Sequence, residues 1–138
     1  MDKENLPKRV TGIGGIFFKT DDPDNMRTWY ATHLGLKTDK HGATFLWRDI
    51  DEPHKKGLTA WSPFSAKTTY FEPSNKPFMI NYRVENLEWL LTQLKEEGVT
   101  IIGDMIVESY GKFAYILDPE NNKIELWESS EDELEVIL

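Results

Sequence analysis

The sequence predicts an α+β fold of two tandem βαβββ modules whose curved mixed sheets enclose a shared cavity, with helices outside. Three observations predict it. Residues 16–35 (IFFKTDDPDNMRTWYATHLG) and 80–98 (INYRVENLEWLLTQLKEEG) each run from strand to acidic or Asn cap, amphipathic helix and terminal glycine. The two copies are offset by 64 residues, slipping to 63 at the glycine, a period longer than that of solenoid repeats. Each copy is followed by short alternating segments, and the chain closes on two alternating runs around an Asp/Pro/Asn cluster.

Residues 10–20 (VTGIGGIFFKT) read as a strand, with Ile16 and Phe18 on one face and Gly15, Phe17 and Lys19 on the other. Glycines at 12, 14 and 15 suggest a bend or a close approach to the backbone. They precede the apolar run instead of opening a helix after it, which excludes a dinucleotide-binding fingerprint. Asp22 and Pro23 then suit the N-cap and first turn of a helix whose stripe is Met26, Trp29, Tyr30, His33 and Leu34, ended by Gly35. His33 on that stripe reads first as a half-buried histidine at the edge of the core.

Residues 44–48 (TFLWR) and 57–61 (GLTAW) alternate around a polar turn at 49–56, as in a hairpin. Residues 63–77 form an irregular, aromatic connection carrying Phe64, Tyr70 and Phe71, either packed over the fold or a lid on a pocket. Residues 78–84 (FMINYRV) alternate again, with Met79, Asn81 and Arg83 on one face and Ile80, Tyr82 and Val84 on the other. Asn86 caps a second helix with a Leu87, Leu90, Leu91 and Leu94 stripe, closed by Gly98. Residues 99–102 and 104–107 give one or two short strands. The final hairpin pairs 113–117 with 123–127 and sets Lys123, Glu125 and Trp127 opposite Ile124 and Leu126.

The 138 residues read as one domain, 1–138, with modules at about 10–64 and 77–128 and an acidic tail at 129–138. The tail's Leu134, Val136, Ile137 and Leu138 would cover an edge or meet a partner chain, unless the tail is disordered. A net charge of −8 argues against nucleic acid or an anionic membrane as partner. With no cysteine there are no disulfides, thiolate metal sites or cysteine nucleophiles, and no apolar run suits a signal peptide or a membrane span. A cytoplasmic location is the default expectation.

The paired pattern, carried by IFFKTDDPDNMRTWYATHLGL, INYRVENLEWLLTQLKEEGV and LDPENNKIELWE, resembles the vicinal oxygen chelate superfamily over residues 10–128. That superfamily includes glyoxalase I, extradiol dioxygenases, fosfomycin-resistance enzymes and bleomycin-binding proteins. Its metal enzymes place ligands at the starts of two equivalent strands and a Glu in the last strand, with a fourth from a first-half strand. By pattern these places hold Gly15, Met79, Glu125 and a residue near Leu58 or Thr59. Glycine offers no side-chain ligand and a thioether suits hard divalent ions poorly, so Glu125 is the only family ligand position retained. No metal ligand set and no cofactor are expected, a recruited divalent metal being the minor alternative. The resemblance also implies a homodimer.

By strand parity Glu125 shares the cavity face with Phe17, Lys19, Met79, Asn81, Arg83 and Trp127. Glu125 is the candidate catalytic acid/base; those six, with Trp47 and Trp61, are the candidate ligand-binding residues. Aromatic walls would raise the carboxyl pKa, and Lys19 or Arg83 alongside would lower it. Trp47 and Trp61 read first as packing residues, with stacking on a planar or apolar ligand as the alternative. The favoured function is metal-independent binding of a small organic molecule in an aromatic cavity. The alternatives are a lyase or isomerase using Glu125, and a non-catalytic protein-interaction module.

Overall fold

Alternation in the first apolar run forms the central strand β1 (Val10–Thr20) of a computed structural model that describes residues 6–130. The expectations for the tail therefore lie outside the described residues, Ser129 and Ser130 excepted. Helix α1 (Pro23–Leu34) follows, with the Asp22 carboxylate accepting the Asn25 amide hydrogen at its N-terminus. It ends on Gly35 at φ 71°, a left-handed conformation that glycine adopts without a Cβ penalty. Strands β2 (Ala43–Arg48) and β3 (Lys56–Ser65) form the expected hairpin. β3 runs further than the sequence suggested, taking in Pro63 and Phe64. Pro63 pairs with Phe18 of β1, so the irregular connection begins only after Ser65.

The second half repeats the order with β4 (Phe78–Val84), α2 (Leu87–Glu96), β5 (Ile101–Glu108), β6 (Gly111–Leu117) and β7 (Lys123–Ser129). Of the one or two short strands expected at 99–107 there is one, β5, interrupted by an irregularity where Gly103 takes φ +67°. All seven strands lie in one mixed sheet, in the order β2-β3-β1-β4-β7-β6-β5. β1 and β4 pair antiparallel at its centre, with Ile16 opposite Ile80, the two residues related by the 64-residue repeat. β1–β3 and β4–β7 are the two parallel pairs, one in each half. The second module has four strands. The first has three among the described residues, with no counterpart of β5.

The halves differ in how they bury their helices. Asn86 caps α2 through the Trp89 amide, and Leu87 and Leu90 pack against Val84, Ala114, Ile116 and Leu126. Burying one such leucine contributes roughly 1.5–3 kcal/mol, so this face carries the main core. α1 buries no residue: Met26 and Tyr30 are half-buried, while Trp29, His33 and Leu34 are exposed. His33 is thus a surface residue lying 4.9 Å from the Trp29 ring centre, not a half-buried one at the core's edge. Asn86→Ala should cost ~1 kcal/mol in urea unfolding, because the cap sits on the helix that carries the core. An unchanged midpoint would show that α2 does not need it.

No helix among the described residues is long and apolar enough to cross a membrane.

Candidate functional site

Register fixes one face of the sheet. Asn81 is opposite Glu125 and Arg83 opposite Trp127 across β4–β7, and period two adds Met79 to the same face. The other face of β7, through Leu126, packs on α2. Tyr115 of β6 is opposite Glu125, which brings its hydroxyl to the same carboxylate.

Glu125 is 3% exposed, and protein donors engage both of its oxygens. Asn81 Nδ2 donates to Oε1 at 2.6 Å, Tyr115 Oη donates to Oε2 at 2.7 Å, and Tyr70 Oη also donates to Oε2. The two phenol oxygens are 2.6 Å apart. Burial, reinforced by the Glu125 charge, pushes both phenols above their ordinary pKa, so they stay protonated as donors. Lys123 lies over the Tyr115 ring at 4.5 Å, and its Nζ donates to the Tyr70 carbonyl at 2.7 Å. Burial lowers its pKa, and the Glu125 charge partly opposes that shift.

The connection at 66–77 supplies Tyr70 and the fully buried Phe71, so it is packed over this part of the sheet. Phe64 of β3 stacks on Tyr70 at 5.8 Å and touches Phe17 at 5.4 Å. Lys19 sits 5.8 Å from the Phe71 ring centre, and Met79 is fully buried. Neither Lys19 nor Arg83 forms the ion pair with Glu125 that the sequence allowed; hydrogen-bond donors take their place.

This donor set does not fit the metal of the family it resembles. The β1–β3 and β4–β7 registers make Ser62, opposite Phe17, the counterpart of Glu125, opposite Asn81. That moves the first-half position from the Leu58–Thr59 region to Ser62, which carries no carboxylate. A β-bulge also places Gly14 beside Gly15, and a Cβ at Gly14 would strike Asn81 and Arg83. Among the described residues no three His, Cys, Asp or Glu side chains are grouped to hold a metal ion.

Next to this closed cluster, towards the other end of β4, lies an open cavity of about 520 Å³, lined in part by Trp47, Arg83, Thr11, His54 and Glu128. Trp47 is held independently of any ligand. Its Nε1 donates to Thr59 Oγ1 at 2.9 Å, and the indole lies on Gly12 and Gly57, where a Cβ would collide with it. Trp127, against Arg83, stacks on Phe113 at 5.7 Å and donates from Nε1 to the Tyr110 carbonyl at 3.2 Å. Arg83 is buried, and burial pushes its pKa down to about 10, leaving it cationic at neutral pH.

Trp61, a candidate for ligand stacking as well as for packing, takes the packing role. It packs at 5.4 Å from Phe18 and 4.6 Å from Tyr30, beneath α1, and does not line the cavity. The candidate residues thus divide into three groups. Phe17, Lys19, Met79, Asn81 and Glu125 belong to the closed cluster, Trp47, Arg83 and Trp127 to the cavity region, and Trp61 to packing. Tyr70 and Tyr115 were missed. The hairpin register contained the signal for Tyr115, whereas nothing periodic pointed to Tyr70.

No protein-family model matches the sequence, and no curated protein sequence matches it. Solved structures do resemble it in fold. A Streptomyces coelicolor methylmalonyl-CoA epimerase variant in complex with 2-nitronate-propionyl-CoA aligns at TM-score 0.64 and 13% identity, over 88% of this chain and 99% of that one. The epimerase from Mycobacterium tuberculosis aligns at 0.59 and 16%, over 96% and 98%. A Mn(II)-bound glyoxalase from Novosphingobium aromaticivorans aligns at 0.57 and 18%, over 89% of this chain and 40% of its own. Both epimerases and the glyoxalase have the vicinal oxygen chelate fold. The chain described here has that fold too.

Proposed function

We propose that this chain binds a small organic molecule in the cavity beside Trp47, whose lining is mostly charged and not aromatic as the sequence suggested, and makes no use of the superfamily's usual metal site. The observation that supports this most is a division of labour on one sheet face. Three protein donors hold the Glu125 carboxylate under a packed connection, while an open cavity of ligand-sized volume lies beside it. An acid/base role for Glu125 needs a substrate atom within hydrogen-bond reach, and its oxygens already face Asn81, Tyr70 and Tyr115. A structural neighbour in complex with a CoA ester shows that this fold can hold an organic ligand. The homodimer implied by the resemblance is retained as part of the proposal.

Native mass spectrometry of protein purified without a His-tag, with metal analysis on the same sample, tests the reading. A retained organic molecule with metal well below one equivalent is the expected result. One equivalent of divalent metal, with ligand lost on chelation, would overturn it.

A further inference from the structure

Arg83 is 7% exposed, and its Nη1 is buried with no hydrogen-bond partner. Its guanidinium carbon lies over the Trp127 ring at 4.6 Å and over the Trp47 ring at 5.9 Å. Cation–π attraction offsets part of the cost of burying the charge, but it leaves an N–H donor unanswered. A buried, unpaired guanidinium is costly to keep in a fold, and at a cavity wall its natural complement is an anion from outside.

The neighbouring charges do not supply that anion. Glu52 accepts from Lys55 at 2.9 Å and lies 3.8 Å from Lys8. Glu85 accepts the Lys8 amide hydrogen at 2.8 Å, and Glu128 accepts that of Leu87 at 2.8 Å. Asp49 accepts from the amides of Asp51 and Glu52. Among the described residues no carboxylate pairs with Arg83. Those four carboxylates line the same cavity together with Lys8, Lys55 and Lys56, so the lining apart from Arg83 carries a small negative excess that disfavours a multiply charged anionic guest. A singly charged, planar group matched to the guanidinium fork satisfies both conditions. The Trp47 indole on the cavity wall suits an aromatic body attached to it.

We propose that Arg83 anchors the carboxylate of a planar aromatic monocarboxylic acid. This assignment rests on the cavity-binding reading above and names its ligand class. The probes are 1-naphthoate and its neutral isostere 1-naphthamide, titrated at neutral pH with tryptophan fluorescence and calorimetry as readouts. The wild-type protein should bind the acid at least about tenfold more tightly than the amide, the discrimination expected of a charge-assisted bidentate contact. Arg83→Met should bring the two affinities together by weakening the acid and leaving the amide nearly unchanged. Its melting temperature without ligand should not fall, since the substitution removes an unpaired buried ion. Should Arg83→Met fail to fold, Arg83→Lys replaces it: charge without the fork should give intermediate discrimination.

Equal binding of acid and amide by the wild type would overturn the carboxylate anchor and leave the cavity reading standing. Binding of neither probe would overturn both. Inorganic phosphate displacing naphthoate with comparable affinity would overturn the choice of a monoanion.

Discussion

Phe71→Ala is expected to destabilise the protein by roughly 3–5 kcal/mol, the range for deleting a fully buried aromatic ring. Phe71 is 0% exposed and touches Phe64 at 5.3 Å and Tyr70 at 6.3 Å. The loss should appear as a melting temperature lower by ~10 °C or more for a chain of this size. It also tests the packed role of the 66–77 connection against that of a lid. A lid contributes little to global stability, because its contacts are made and broken without unfolding the sheet beneath. A packed connection takes the fold with it. A loss below about 1 kcal/mol would identify a lid and reopen the question of access to Glu125.

Glu125→Gln should have the second-largest effect, on stability and not on ligand affinity. The amide keeps an oxygen for Asn81 Nδ2 but presents an NH₂ to the side where Tyr70 and Tyr115 both donate. Both hydroxyls must turn to accept, and Lys123 loses the charge that supports its protonated form. Disturbing a buried network of this kind costs about 1–3 kcal/mol. Chemical denaturation should show that loss, while 1-naphthoate affinity stays within about twofold, since Glu125 does not line the cavity. An undiminished stability with affinity reduced tenfold or more would reverse the assignment and make Glu125 a ligand-contacting residue.

Arg83 has a distinct pH signature. A base whose folded pKa is depressed makes folding less favourable wherever it is charged in both states. Here the cost is fully present below about pH 10, the folded value, and is relieved as pH rises through it towards the higher unfolded value. At neutral pH the protein therefore carries this cost undiminished, and an anionic guest offsets it.

How much was legible beforehand follows from where periodicity operates. Duplication, both helix caps and the face shared by Asn81, Arg83, Glu125 and Trp127 came from spacing alone, because strand parity and helix stripes are local properties. Trp61 was left between packing and ligand stacking despite a correct strand, since parity states which residues share a face but not which face lies under α1. The Leu58–Thr59 position was wrong by three or four residues because pairing register is set across strands, where sequence distance gives no ruler. Tyr70 lay in a stretch with no period at all. The orphaned Nη1 of Arg83 could not have been read, because being without a partner is a property of everything nearby at once.

The unequal burial of the two helices divides the molecule kinetically. α1 rests on the sheet with none of its residues buried, whereas α2 is keyed into the core through Leu87 and Leu90. Amide protons in α1 can therefore exchange with solvent through an opening confined to that helix, while those of α2 must await disruption of the core itself. Two halves copied from one pattern thus behave as cooperative units of different rank: one can breathe while the other keeps the shared sheet, and the cavity built on it, in place.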